Sequence, residues 1–219
     1  MMSDTIYYKV LNKDLEKHGF QYKLGLNIDT EKFNIDNEPN DFYFTDKKNI
    51  IKYFESGMYI VEISIPEGAQ IYKDQLWTTY TCNVWKSDKI FINKYYLIEE
   101  WDGWNDKKFC IKSIKNNGCH LQYIPKKLKT KELCELAVKK NGYALYWVPE
   151  EFITKELCEL AVEKDILALK FIPDKFITKK LCEIAVKNYS NAFEIIPNNL
   201  KTKEICELAI KKYGYALKW

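Results

Sequence analysis

The chain has 219 residues, of which 47% are hydrophobic and 30% are charged, and its formal net charge is +3. A hydrophobic share of this size supports packed cores and excludes an intrinsically disordered protein. All 34 basic residues are lysines, so the chain lacks the guanidinium group that reads guanine and clamps phosphate. Arginine-finger chemistry and sequence-specific DNA recognition are therefore disfavoured.

The apolar runs of the sequence are short. The longest, MYIVEISI at residues 58–65, is interrupted by Glu62 and is far below the ~20 residues of a membrane-spanning helix, so we expect no membrane partner. The first ten residues, MMSDTIYYKV, have neither the basic start nor the apolar core of a signal peptide. We expect a protein that is not secreted by that route and whose cysteines stay free in a reducing compartment.

Residues 1–104 predict an α+β domain. The segments TIYYKVLN, MYIVEISIP, TTYTCNVW and KIFINKYYLI have the β-branched and aromatic composition of strands. Before the second of them, Thr45 or Asp46 can cap a helix that ends at Gly57. Its buried side would consist of Ile50, Ile51 and Phe54.

Residues 105–219 carry a gapless repeat with a period of 24 residues, which predicts a second domain. The charge also changes there, from 12 lysines against 17 acidic residues before the boundary to 22 against 14 after it. Threonine, leucine or isoleucine, alanine and proline recur in separate columns. The cysteine column consists of Cys110, Cys134, Cys158, Cys182 and Cys206.

Each repeat unit predicts two short helices. Thr130 is a good N-cap for KELCELAVKK, and Gly142 stands where a left-handed residue would end that helix. The second helix, YALYW, must end near Pro149, because the residue before proline avoids helical geometry. Apolar side chains cover a wide arc of the first helix, as expected for a helix packed on both sides. The fold class is therefore an α+β domain followed by an α-helical solenoid of about five 24-residue two-helix repeats.

One column of large apolar residues can form a continuous spine through the repeats. The alternative, an aromatic stripe that stacks nucleic-acid bases, is less compatible with so strict a spacing. The column consists of Tyr123, Trp147, Phe171, Ile195 and Trp219.

The unit KELCELAVKKNGYALYWVPEEFIT resembles a short helical repeat of unassigned function in proteins of giant, mimivirus-like viruses that infect amoebae. The segment FYFTDKKNIIKYFESGMYIVEISIPEGAQI resembles the domain that precedes repeat arrays in such proteins. The resemblance implies a location in the host cytoplasm or the virion, and it implies no known activity.

The cysteine column could suggest redox or metal chemistry. Stacked units place equivalent residues roughly 10 Å apart, whereas a disulfide needs Cα atoms within about 7 Å and zinc needs four converging ligands. Only His18 and His120 could serve a nucleophile–histidine pair, and no phosphate-binding glycine motif is present. We therefore assign no catalytic, cofactor-binding or metal-binding residue, and expect no cofactor and no enzymatic activity.

Two sets of residues are predicted to bind partners. The last unit ends in GYALKW, and its residues continue the apolar columns of the repeat. We therefore expect its side chains to bind a second copy or another protein. A lysine column could instead follow a polyanion, although glutamates on the same helices favour a solvated, mixed-charge face. The two sets are Tyr215, Leu217 and Trp219, and Lys131, Lys155, Lys179 and Lys203.

The repeat architecture favours a non-catalytic scaffold for protein interaction or assembly. The resemblance implies that this scaffold serves a large DNA virus, associated with the virion or directed at the host. One alternative is a weak polyanion or nucleic-acid binder that uses the lysine-rich face of the repeats. Another is a transferase-like enzyme in the N-terminal domain, similar to ADP-ribosyltransferases, in which Glu62 or Glu67 would act.

Overall fold

The structure is a computed structural model that describes residues 5–29, 42–73, 83–189 and 192–212. The chain divides into two units, Met1–Gly103 and Trp104–Trp219. The first is built around a β-sheet and the second around a series of helices, so the predicted order of an α+β domain and helical repeats is confirmed.

The predicted strand segments of the first unit form strands, because their β-branched and aromatic side chains pack well on a pleated surface. Most of TTYTCNVW lies outside the described residues, and its last residues begin a strand at Val84. Five further strands were not predicted. In chain order the strands are β1 (Tyr7–Leu11), β2 (Glu16–Lys17), β3 (Phe20–Gln21), β4 (Gly25–Ile28), β5 (Phe42–Thr45), β6 (Tyr59–Ser64), β7 (Ile71–Lys73), β8 (Val84–Ser87) and β9 (Lys89–Leu97).

Seven of these strands form one antiparallel sheet in the order β4-β9-β6-β1-β5-β8-β7, and β2 pairs with β3 in a separate hairpin. The central strand β1 pairs with β6 along its whole length, from Tyr7 opposite Ile63 to Leu11 opposite Tyr59. One face of the sheet carries a buried apolar cluster that includes Phe42. Phe20 of the hairpin contacts the Phe42 ring at a centroid distance of 4.8 Å, so the β2–β3 hairpin covers part of this face.

The helix predicted after Thr45 is present, but it is a 3₁₀-helix, Ile50–Ser56, and no side chain caps it. Thr45 ends β5 instead, and its hydroxyl donates to the Asn83 carbonyl oxygen at 2.6 Å. Asp46 stabilises the preceding turn, because its carboxylate accepts from the Asn49 amide. The predicted buried side of the helix is confirmed by Ile50, Ile51 and Phe54.

The second unit repeats one ten-residue α-helix at the 24-residue period. These helices are α1 (Lys107–Asn116), α2 (Lys131–Lys140), α3 (Lys155–Lys164), α4 (Lys179–Asn188) and α6 (Lys203–Lys212). The predicted threonine caps are confirmed: Thr130, Thr154 and Thr178 each accept from the amide three residues later. In the degenerate first unit, Asp106 caps α1 in the same way.

The second helix of units one to three is a six-residue 3₁₀-helix and not an α-helix: Gly118–Tyr123, Gly142–Trp147 and Ile166–Phe171. In unit four the corresponding element is a short α-helix, α5 (Ala192–Ile195). A three-residue 3₁₀ turn then follows each proline, as in Glu150–Phe152 after Pro149. The predicted end of the second helix before proline is confirmed, since Val148 is extended.

The prediction that Gly142 is left-handed was wrong. Asn141 ends α2 in an extended conformation, and its side chain accepts from the Tyr143 amide, so it caps the 3₁₀-helix. Gly142 begins that helix, and a Cβ placed on it would lie 2.2 Å from the Ala161 carbonyl oxygen of the next unit. Glycine is present because the neighbouring backbone comes close, not because the position needs a positive φ.

Consecutive α-helices pack against one another, α1 on α2, α2 on α3, α3 on α4 and α4 on α6. On α2 the buried residues are Leu133, Cys134, Ala137 and Val138, while the charged residues of the helix are exposed. Both neighbours therefore cover the predicted apolar arc, and small residues in it allow close approach. In unit one, Ser113 and His120 replace two of the alanines, and His120 Nδ1 lies 3.0 Å from the Ser113 hydroxyl oxygen.

Candidate functional site

The cysteine column is part of the helix-packing surface. Cys134, Cys158 and Cys182 are fully buried, and none of the three forms a disulfide. Burial raises the pKa of the Cys158 thiol to about 11, so it is a poor nucleophile near neutral pH. Among the described residues, no three His, Cys, Asp or Glu side chains are placed to hold a metal ion. These cysteines act as small apolar side chains.

The predicted lysine column lies on the exposed face of the α-helices, where glutamates share the surface. Lys131 and Lys203 lie 3.9 Å from the glutamate one helical turn later. Lys179 contacts Glu204 at 3.2 Å and so joins units four and five. Three of the four lysines are thus already close to a carboxylate, as expected for the mixed-charge face that the sequence favours.

The other predicted set, Tyr215, Leu217 and Trp219, lies outside the described residues. The described helix of that unit, α6, exposes Ile210 by 38%, whereas Val138, Val162 and Val186 at the same position of earlier units are buried. The apolar column that earlier units bury is therefore partly uncovered at α6. Self-association through this unit stays a prediction.

Four aromatic side chains of units two and three form an exposed cluster on the second-helix side of the array. Tyr146 is 59% exposed, while Tyr143, Trp147 and Phe171 are half-buried. The Phe171 ring lies 5.0 Å from the Tyr143 ring and 4.9 Å from the Tyr146 ring, between centroids. Tyr143 also contacts Trp147 edge-on at 5.5 Å. These four residues, the aromatic cluster, present a surface with both apolar and hydroxyl groups.

Local hydrogen bonds hold the aromatic cluster in place. The caps at Asn141 and Asp165 fix the starts of the two 3₁₀-helices that carry it. The ammonium group of Lys129 donates to the Trp147 carbonyl oxygen at 3.0 Å, and burial lowers the pKa of this lysine. The Lys129 hydrogen bond therefore fastens the backbone beneath the cluster to the preceding unit. A surface that is already ordered loses little conformational entropy when a partner binds.

A family model described as "Domain of unknown function (DUF4116)" matches residues 106–153, 154–201 and 178–219. These matches start at Asp106, Thr154 and Thr178, the N-caps of three α-helices, and together they cover more than half of the chain. The chain belongs to the DUF4116 family. The first two matches each span two repeat units, so the DUF4116 model is in register with the 24-residue period.

The chain is also similar to proteins of Acanthamoeba polyphaga mimivirus. It is 43% identical over 69 residues to R868, which is named as an ankyrin repeat protein; the match covers 30% of this chain and 34% of R868. It is 34% identical over 110 residues to the uncharacterised protein R869, covering 47% of this chain and 75% of R869. R896, also named as an ankyrin repeat protein, is 42% identical over 62 residues, 27% of this chain and 19% of R896.

The chain spans about a third of R868 and about a fifth of R896. No solved structure matches the chain. The relatives agree with the predicted resemblance to repeat proteins of giant viruses. Within the ranges that the structure describes, no helix combines the length and apolar character needed to cross a membrane.

The two glutamates considered for a transferase, Glu62 and Glu67, do not share a cavity with polar side chains of β5. Glu62 lies on β6 with its carboxylate 3.6 Å from the Lys94 ammonium, and Glu67 is exposed in the following turn. Tyr43 and Thr45 line a cavity to which neither glutamate contributes. This arrangement gives the transferase hypothesis no support.

The column of large apolar residues in the DUF4116 units is half-buried at Tyr123, Trp147, Phe171 and Ile195, and its last member, Trp219, lies outside the described residues. Sequence reasoning did not assign a role to Tyr143 and Tyr146. The spacing of these two tyrosines could have predicted that they lie together, because residues three apart lie on the same side of a 3₁₀-helix.

Proposed function

We propose that the DUF4116 array is a non-catalytic protein-interaction module that binds a protein partner through the aromatic cluster. The observation that carries the proposal is the exposure of Tyr146 beside three half-buried aromatic side chains. Tyrosine and tryptophan are enriched in the residues that dominate binding energy at protein interfaces. Repeat arrays also offer extended surfaces on which such residues can be grouped.

The partner that fits this surface is a protein that presents apolar side chains. Two mimivirus relatives are named as ankyrin repeat proteins, and ankyrin arrays are repeat architectures of the same general kind. We infer a scaffold role in a giant virus, within the virion or in the host cytoplasm.

The lysine-rich face is a weaker candidate for the binding surface. Its lysines alternate with glutamates and several are ion-paired, as described above. We therefore place the polyanion role second and assign no enzymatic activity to the array.

Affinity capture from mimivirus-infected amoebae, with the full chain as bait, tests the proposal. Tyr146→Ala removes the most exposed ring of the cluster, and Lys155→Ala is the matched control on the lysine face. Proteins retained specifically by the wild type are candidate partners. With each purified candidate, Tyr146→Ala should weaken binding by at least about tenfold.

Candidates that bind Tyr146→Ala as tightly as wild type would contradict the proposal. Loss of binding in Lys155→Ala, together with a steep fall of affinity with salt, would favour the lysine face and a polyanion instead.

A further inference from the structure

The first unit contains a cavity of about 290 Å³ where its sheet is incompletely paired. Within the described strands, β1 and β5 are in register at one position only, Tyr8 opposite Thr45. Beyond this pair the two strands contribute side chains to the cavity instead, including Lys9 and Tyr43. The β2–β3 hairpin and the 3₁₀-helix Ile50–Ser56 complete the wall.

Lys9 is the most unusual group in this cavity. The residue is only 6% exposed, and its ammonium group donates to the Tyr43 carbonyl oxygen at 2.7 Å. It also lies 5.3 Å from the centre of the Tyr22 ring. No aspartate or glutamate is among the described residues that line the cavity. A buried ammonium is normally paired with a carboxylate, because desolvating an unpaired charge is costly.

Two further basic residues line the cavity from the hairpin, Lys17 and His18. The turn that carries them is held by the Glu16 carboxylate, which accepts from the Gly19 amide at 2.9 Å. His18 has a φ of 53°, a left-handed conformation that is uncommon for a residue other than glycine. Together with the left-handed Gly19 that follows it, His18 forms the two-residue turn of the β2–β3 hairpin, and this turn sets the positions of Lys17 and His18.

The remaining wall is apolar or carries hydroxyl groups. Val10, Phe44 and Ile50 provide apolar contact surface, and Tyr53 provides a phenol. Ligand cavities of this kind are mostly apolar with a few polar groups that fix orientation, and 290 Å³ lies near their lower size limit. The cavity therefore suits a small molecule with one negatively charged end.

We propose that this cavity binds a small organic acid, a molecule with one carboxylate or phosphate group on an apolar body. The anionic group lies against Lys9, Lys17 and His18 and supplies the negative charge that the described wall lacks. The apolar body packs against Phe44 and Ile50.

Titration of Lys9 gives this binding a characteristic pH dependence. Burial, together with the charge of Lys17, lowers the pKa of Lys9 to about 7, and burial lowers the pKa of Lys17 as well. Among the described residues, the other ionisable side chains that line the cavity are His18, Tyr8, Tyr43 and Tyr53, and the Tyr22 ring faces the Lys9 ammonium. Below pH 7 Lys9 is already charged. Above pH 7 the anion must bind together with a proton, so affinity falls by up to about tenfold per pH unit.

Binding of benzoate and phenyl phosphate to the full chain, measured by calorimetry, tests the proposal against the uncharged probe benzyl alcohol. At about pH 6 at least one anion should bind at least about tenfold more tightly than benzyl alcohol. The stronger of the two identifies the preferred anionic group. Lys9→Met should weaken the binding of that anion by about tenfold or more, and Lys17→Met should weaken it by a smaller factor. Lys13→Met, an exposed change outside the cavity, is the matched control and should have no effect.

Equal binding of the anions and benzyl alcohol would overturn the proposal, as would undiminished anion binding by folded Lys9→Met. If Lys9→Met does not fold, the proposal is tested instead by anion binding to Lys17→Met and by the pH dependence of anion binding to the wild type. Benzoate keeps its charge between about pH 6 and pH 8, so an affinity that does not fall across this range would count against Lys9 as the binding group.

Discussion

At the scale of single residues, small side chains determine how closely consecutive units approach. A Cβ on Gly118 would lie 2.4 Å from the Ala137 carbonyl oxygen, and Gly142 is in the same relation to Ala161. The equivalent residue of unit three is Ile166, and the following unit departs from the pattern, with Tyr189 in place of the Asn or Asp cap. Since a side chain cannot occupy the space between two such close backbones, Ile166 requires the next unit to pack differently.

Gly142→Ala should therefore destabilise the array by about 1–3 kcal/mol, because the added methyl group meets backbone and not a flexible side chain. Lys139→Ala, on the exposed face of α2 in the same unit, is the control and should change stability by less than about 0.5 kcal/mol. Urea unfolding followed by the helical circular dichroism signal measures both. If Gly142→Ala is as stable as the control, the backbone of the neighbouring unit can shift to make room for the methyl group, which would contradict this account.

The residue scale also shows where sequence reasoning failed. Asn-Gly at residues 141–142 was interpreted as the left-handed end of a helix, but the same pair caps and begins the next 3₁₀-helix. Both interpretations use the same two residue types. The close approach of Ala161 that decides between them comes from the next unit, and a local pattern does not contain it.

At the scale of elements, the α-helices could be predicted well because their signals are local. Threonine caps, strong helix formers and an apolar arc all fall within ten residues. The sheet of the first unit was harder. FYFT, which forms β5 (Phe42–Thr45), is not among the predicted strands. Its pairing with β1 and β8 depends on residues far away in sequence.

The caps can be tested by replacing one hydroxyl. In Thr154→Ala the Leu157 amide loses the acceptor that now lies 3.2 Å away, and we expect a loss of about 1 kcal/mol. Thr154→Asp is the matched control, because Asp106 already caps α1 at this position of the repeat. Urea unfolding should rank wild type and Thr154→Asp together above Thr154→Ala. Equal stability of the two variants would show that the cap hydrogen bond contributes nothing measurable.

At the scale of the whole molecule, the regular and irregular surfaces have different roles. The columns of cysteine, alanine and leucine are buried between units and build the DUF4116 array. The candidate sites lie where the repeat varies or is absent. Tyr143 and Tyr146 correspond to Cys119 and Gln122 in unit one, so the aromatic cluster belongs to particular units and not to the repeat rule.

The candidate sites could be predicted less well than the fold. The aromatic column was recognised, but its half-burial depends on which side of the array the second helices face. The cavity of the first unit collects residues from β1, β5, β8, the hairpin and a 3₁₀-helix. No motif links these elements, so only their assembly brings Lys9, Lys17 and His18 together.

The most direct test of the proposed function is site-specific photocrosslinking with benzoylphenylalanine in place of Tyr146 or, as the control, Lys155. Both positions are exposed, so each probe is accessible in the full chain, and the experiment is done during infection of amoebae. The account predicts a crosslink from position 146 to a protein partner and none from position 155. A crosslink to a partner from position 155, with none from position 146, would contradict it.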